Sequence, residues 1–408
     1  MSNYEILNAH WSNRHGYIHS SLLVAFFLAL PFSHAPSFIG PYFTIPFFVI
    51  SAILANFLFN SFILRRGCID FKEIFYICII LLSVSYFIWH AIVFRMGPKV
   101  NSYLIAYSWL PVSMFVICYY ARRTDLGYSK IRNALLFGVF ICLLYNFFEI
   151  ISAFKGGGDS IIPRYDREEY RFHSPFGFRV RGFNYESANY ALYINSVMYF
   201  LVRGSSGFKF KLFMYVIWVL TLVMAFSSFH IVFFVFVMAP AIIFSSLKKV
   251  SFVYVAIASF LSLILIPFLI YAFYDDIILA LGIVSGKALS YFLGVGLESG
   301  EMRNSLIHSA LLLIIESPIF GSGLSSFYNY QDTGYNNFFL QVFQQLGILG
   351  LLFYIVLMSF PFFFLSKINL DSLVYFLLLL FSLWFTADFW LPQILFLQFL
   401  IVYRKGKV

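Results

Sequence analysis

Five arginines, Arg164, Arg167, Arg171, Arg179 and Arg181, crowd one hydrophilic stretch of an otherwise apolar chain, and Arg303 stands in a second such stretch. A guanidinium cannot shed its charge, and its planar fork matches phosphate oxygens in bidentate fashion. A bound phosphate or diphosphate would suit Arg179, Arg181 and Arg303. All six arginines have a second reading open to them, Arg164, Arg167 and Arg171 most of all, as partners of Asp166, Glu168, Glu169 and lipid headgroups that merely hold the loop. Proton transfer would need a base, and Glu186, Glu301 and His308 are the candidates in that order. Glu149, near the end of a long apolar run, is a further contributor, since carboxylates within a bilayer are costly and rarely idle. His308 can equally be an interfacial histidine with ordinary partners. Tyr335, Asn336 and Asn337 form an amide-rich approach to another apolar run, where they could orient sugar hydroxyls or cap a helix.

The elements that position these residues follow from composition. Of 408 residues, 61% are hydrophobic and 11% charged, with a mean hydropathy of +0.86, so the bilayer must solvate most of the chain. Apolar runs long enough to cross it occur near 18–32, 42–64, 74–94, 102–120, 133–153, 187–202, 212–227, 229–247, 250–274, 338–363, 372–387 and 389–403. This pattern predicts an all-α polytopic membrane protein with about 12 transmembrane helices, or 11 if the last pair merges. Tight turns near Ser227 and Asp388 leave room for re-entrant hairpins. The first run has no small-residue cleavage site after it and reads as a signal anchor. Cys68, Cys78, Cys118 and Cys142 lack metal-ligand spacing, so neither a disulfide nor a metal site is expected.

Orientation comes from the cations. One alternate set of loops holds 17 of the 27 Lys and Arg residues and the other holds 10, of which only Arg95 and Lys99 sit in a short loop. The richer side is expected to be cytoplasmic, with both termini there. Residues 154–186 and 275–337 then face outward as two large loops of a single membrane domain, 1–408. The net charge of +9 is explained by this topology, and no basic face gathers to bind nucleic acid. Within the second loop, Glu301 to Ala310 should open a helix running to Glu316. Its turns place Glu301, Asn304 and His308 on one stripe with Arg303 beside it. The glycines of Pro318 to Gly323 should allow a close backbone approach.

The order of these features carries a resemblance. Arg179-Val-Arg181-Gly182-Phe183, Glu186-Ser187, an Arg303 segment, Pro318, Gly321, Gly323, Asn337 and Gly347-Ile-Leu-Gly350 follow one another in the chain. In that order and placement the sequence resembles the O-antigen polymerase and ligase family of bacterial inner-membrane enzymes, whose polymerases are called Wzy. Motifs cover about residues 179 to 350, and topology covers the whole chain. The resemblance implies transfer of a glycan from undecaprenyl diphosphate to an acceptor sugar at the periplasmic face, in lipopolysaccharide biosynthesis. Arginines of the two large loops would contact the diphosphate, here Arg179 or Arg181 and Arg303. Family ligases usually carry a His just before the Asn that opens the following span. Asn336 stands there instead, which favours a polymerase. Ser227-Ser228-Phe229-His230 also lacks the Arg that many members place after the serine at this turn.

Cleavage of a glycosyl phosphate bond develops negative charge that fixed guanidinium groups can stabilise, so the expected reaction calls for no cofactor and no metal. The chain has no Asp-x-Asp triplet, the common carboxylate device for holding a divalent ion against a diphosphate. Expected partners are the lipid-linked donor and acceptor, membrane lipids and a chain-length regulator. Two alternatives are a ligase that moves finished polysaccharide to lipid A core and, from a different class, a flippase of lipid-linked oligosaccharide. A flippase would place charge inside the bundle and keep its outer loops short.

Overall fold

A computed structural model describes residues 18–33, 44–60, 70–94, 99–124, 126–154, 180–184, 186–225, 227–246, 298–329, 337–365, 368–385 and 391–403. All regular elements among the described residues are helical. They are α1 (Ile18–Phe32), α2 (Ile45–Leu58), α3 (Phe71–Val93), α4 (Val100–Arg123), α5 (Tyr128–Phe154), α6 (Ser187–Gly204) and α7 (Phe208–Ala225). The series continues with α8 (Ser228–Phe233), α9 (Ala239–Ser246), α10 (Glu298–Glu316), α11 (Phe338–Ser359), α12 (Leu370–Phe385) and α13 (Pro392–Val402). Five segments, Phe71–Val93, Val100–Arg123, Tyr128–Ser152, Phe208–Ala225 and Phe338–Phe364, are helices long and apolar enough to cross a membrane. The protein is thus a helical membrane protein. The expected runs match helices within a few residues, except 250–274, which lies outside the described residues together with both termini.

The chain divides into two compact units. The first comprises Met1–Asp70, Ser113–Ala225 and Leu391–Val408, and the second Phe71–Val112 and Phe226–Trp390. In the first, α6 packs on α7, α5 and α13, while α5 and α2 meet the 3-10 turn Leu30–Phe32 that ends α1. Every residue of α13 is buried, as are fifteen residues of α6. Helices enclosed in this way tolerate polar side chains that lipid would reject. Asn195 on α6 accepts a hydrogen bond from the Trp218 indole of α7 at 2.8 Å. In contrast, α7 exposes Phe208, Leu212, Phe213, Val216, Leu220 and Val223, an apolar face suited to acyl chains.

The second unit is organised by α11. On α3 the buried residues are Glu73, Tyr76, Ile80, Ser83, Phe87, His90 and Ala91, the first six alternating three and four apart, which makes one continuous stripe along the helix. That stripe meets α11 and the 3-10 turn that follows it: the Tyr76 ring stacks on Phe360 at 3.9 Å and Phe87 on Tyr354 at 5.7 Å.

Irregularities in these helices have identifiable causes, and the carbonyls freed at Pro111 and around Gly347 are answered. Pro111 in α4 cannot donate to the carbonyl four residues back, and that carbonyl, Tyr107 O, accepts from the Tyr354 hydroxyl at 2.8 Å. A π-helical turn, Phe234–Met238, precedes Pro240 and absorbs its missing donor. The largest break is at Gly347, whose φ of 66° and ψ of −169° interrupt α11. Around it, Ser322 N donates to Gln344 O at 2.8 Å, Gly323 N to Gln345 O at 3.1 Å and Ile348 N to Pro318 O at 2.9 Å. Gly321 and Gly347 lie so close that a Cβ on either would strike backbone atoms of the other segment. The close backbone approach expected of the Pro318 to Gly323 turn is therefore made to a broken helix.

Gly347→Ala should lower stability by about 3 kcal/mol or more, because alanine is strained at this φ and ψ and its methyl group meets the Ile319 carbonyl. Gly207→Ala is the control, since its methyl group would meet only Phe210 Cβ, at 4.0 Å. Thermal unfolding of the purified proteins in detergent should show a clear drop for the first and little change for the second.

Candidate functional site

The first unit concentrates its polar side chains around the turn Val180–Asn184, which leads into α6. The turn is held from several directions. Val180 N donates to Met224 O near the end of α7 at 3.2 Å. The carboxylate of Glu149, on α5, accepts from Arg181 N at 3.2 Å and Gly182 N at 3.1 Å. Gly182 has φ +53°, and a Cβ there would press on the Tyr190 ring at 3.0 Å. Phe183 lies against Tyr145 of α5 at 4.3 Å and against Phe32 of α1 at 4.8 Å. Asn184 accepts from the Gln393 amide of α13 at 3.1 Å, and the same amide donates to Ser33.

The turn carries Arg181, whose residue surface is only 6% exposed. Burying a guanidinium is expensive unless anions and hydrogen-bond acceptors surround it, so a buried arginine in a turn whose main chain is gripped by a carboxylate is a feature that calls for a role. Nearby, Asn146 donates to the Tyr190 hydroxyl at 2.5 Å. Asn146 Oδ1, Asn184 Nδ2 and Gln393 Oε1 are buried and have no hydrogen-bond partner among the described residues. Glu186 is half-buried at the N-cap position of α6, where its side chain does not cap the helix. The turn therefore gathers a buried arginine, the carboxylate that binds its main chain and unspent amide groups, with Glu186 at the start of the helix that follows, all features able to hold a charged and hydroxylated ligand.

The other expected residues are distributed as follows. Arg303 and Glu301 fall on α10 as predicted, but their side chains, like the whole of Arg164, Arg167, Arg171, Arg179, Tyr335 and Asn336, lie outside the described residues. On the same helix His308 is exposed, off the buried face formed by Leu306, Ala310, Leu313 and Ile314. Asn337 caps α11, its side-chain oxygen accepting from Leu340 N at 2.9 Å, which is the helix-capping alternative of the sequence reading. At the Ser227 turn, Ser227 Oγ and His230 Nδ1 lie 3.0 Å apart, both residues buried.

Compared with protein-family models and with curated proteins, the sequence matches none. The geometry of the Val180–Asn184 turn therefore has to carry the functional argument. It adds residues that sequence reasoning missed: Ser33, Asn146, Asn184 and Gln393. Asn146 and Gln393 did carry a signal, as amides within apolar runs. Ser33 and Asn184 carried none, because a polar residue at a helix edge is ordinary.

Removing the Glu149 carboxylate should loosen the turn without unfolding the helices. In Glu149→Leu, hydrogen exchange at the Arg181 and Gly182 amides should accelerate by about tenfold or more, as expected when charge-assisted bonds are lost. Exchange within α13 should stay unchanged.

Proposed function

We propose that this chain is a glycosyltransferase that polymerises undecaprenyl-diphosphate-linked oligosaccharide repeats, such as those of an O-antigen, at the periplasmic face of a bacterial inner membrane. The observation that carries the reading is the burial of Arg181 in a turn fixed by Glu149 at the head of α6. The excess of Lys and Arg in the opposite set of loops supports an outward location for this turn.

The reaction follows from the chemistry of the bond broken. The acceptor hydroxyl oxygen attacks the anomeric carbon of the donor glycan, and the bond from that carbon to the diphosphate oxygen breaks. Undecaprenyl diphosphate leaves with the electron pair. A guanidinium held rigidly at that oxygen stabilises the charge as it grows, at no cost of reorganisation. The acceptor proton passes to a carboxylate, for which Glu186 is the best placed of the candidate bases, since it follows the Arg181 turn and His308 stands exposed on α10. A second cationic contribution from Arg303 is a separate requirement that rests on the family resemblance alone.

Lipopolysaccharide from a null strain complemented with each variant tests this reading. Arg181→Ala and Arg303→Ala should each abolish the polymer ladder while the protein still accumulates in the membrane. Arg181→Lys should restore at most a small fraction, because an ammonium cannot reproduce bidentate contact. The residual product should be core plus one repeat. Core alone would point to a ligase or a flippase, and a normal ladder from both alanine variants would refute the assignment.

A further inference from the structure

The second unit holds a buried polar cluster that the chemistry above does not use. Gln341, Gln344 and Gln345 stand within two turns of α11, just before its break at Gly347, and all three are fully buried. Gln341 Nε2 donates to the Tyr107 hydroxyl at 3.4 Å, and Gln344 Nε2 donates to Ser326 Oγ at 2.9 Å, which ties the cluster to the segment after Gly323. Ser325, beside it, is fully buried and has a φ of 54°, in the left-handed region that a serine rarely adopts.

The cluster is largely unspent. Gln341 Oε1, Gln344 Oε1, both amide atoms of Gln345 and Ser325 Oγ have no hydrogen-bond partner among the described residues. Amide and hydroxyl groups left unmatched inside a membrane helix cost stability, so their concentration in a single patch calls for a ligand that matches them. These atoms supply donors and acceptors side by side, and none of the five carries charge. An ion would demand one polarity throughout, whereas hydroxyl groups, and the amide of an N-acetylated sugar, both donate and accept. The interruption of α11 strengthens the point, because broken membrane helices commonly line sites for polar ligands. By the rise of an α-helix, the three glutamines lie about 6 to 12 Å along α11 from the Asn337 cap.

We infer that Gln341, Gln344, Gln345 and Ser325 form a binding site for a neutral sugar. The site's assignment to the acceptor glycan, rather than to some other carbohydrate, rests on the proposed polymerase reading. Gln345 is the central residue, since both ends of its amide await the ligand. Gln341 and Gln344 each contribute a carbonyl oxygen.

Full-length protein in lipid nanodiscs, titrated calorimetrically with glucose, N-acetylglucosamine and rhamnose, provides the test. At least one sugar should bind saturably, and Gln345→Met and Gln341→Met should weaken that binding tenfold or more. Methionine matches glutamine in shape without its amide, so the thermal midpoint of Gln345→Met should hold or rise while binding is lost. Failure of all three sugars to bind, or wild-type affinity in both variants, would overturn the inference. Sugar binding is read here without any diphosphate lipid, so failure of the arginine assignment and failure of the sugar site remain distinguishable.

Discussion

Backbone N–H groups of one short turn, captured by a single carboxylate, hold the candidate site together. Glu149 accepts from Arg181 N and Gly182 N, and around this pair the helices of the first unit meet: α5 supplies the carboxylate, α7 a carbonyl, α1 and α5 the aromatic walls for Phe183, and α13 the amide for Asn184. Buried backbone groups cannot fall back on water, so a buried turn persists only if its N–H groups are matched internally. With the turn fixed, Arg181 has a defined position and stays buried. A cation placed this way stabilises a developing anion more strongly than one that must be recruited from solvent, because the low dielectric amplifies the interaction and nothing needs to reorganise.

The same rule governs the second unit in a different form. Its helices lose a backbone donor at Pro111 and Pro240 and are interrupted at Gly347, and the freed carbonyls at Pro111 and near Gly347 find donors from neighbouring segments. Tyr86 on α3 adds its hydroxyl to Leu346 O at 2.7 Å, and His90 Nε2 lies 2.6 Å from Phe320 O. α3 thus does more than pack its buried stripe: Tyr86 and His90 meet the break in α11 and the turn docked against it. Against this matching of backbone groups stand unmatched side-chain atoms, and those of Gln341, Gln344, Gln345 and Ser325 gather beside the break in α11.

Much of this architecture could be read from the sequence, and the reason is physical. A run of apolar residues of membrane-spanning length has few alternatives to a helix, so α3, α4, α5, α7 and α11 appeared where hydropathy placed them, with ends shifted by a few residues. The shifts are largest where helices continue into polar turns: α5 begins at Tyr128, before Lys130 and Arg132, because helical geometry does not stop where apolar character does. The role of Gly321 was legible, but its partner Gly347 was not, since a backbone contact between segments more than twenty residues apart leaves no periodic trace. Arg181 stood out by charge alone. Glu149 was visible as a carboxylate in an apolar run, but its task, gripping two amides of a distant turn, depends on tertiary packing that no spacing rule encodes. The three glutamines of α11 were overlooked although amides so close together in a membrane span were plain to see.

Direct titration of the purified protein in lipid nanodiscs with undecaprenyl diphosphate, alongside uncharged undecaprenol, interrogates the buried guanidinium without intervening biology. If Arg181 grips the diphosphate, the charged lipid binds well above the alcohol, and Arg181→Ala reduces its affinity by about tenfold or more, as loss of a charge-assisted bidentate contact requires. Equal affinity for the two lipids, or an Arg181→Ala variant that binds the diphosphate as tightly as the native protein, would contradict a diphosphate-binding role for this turn.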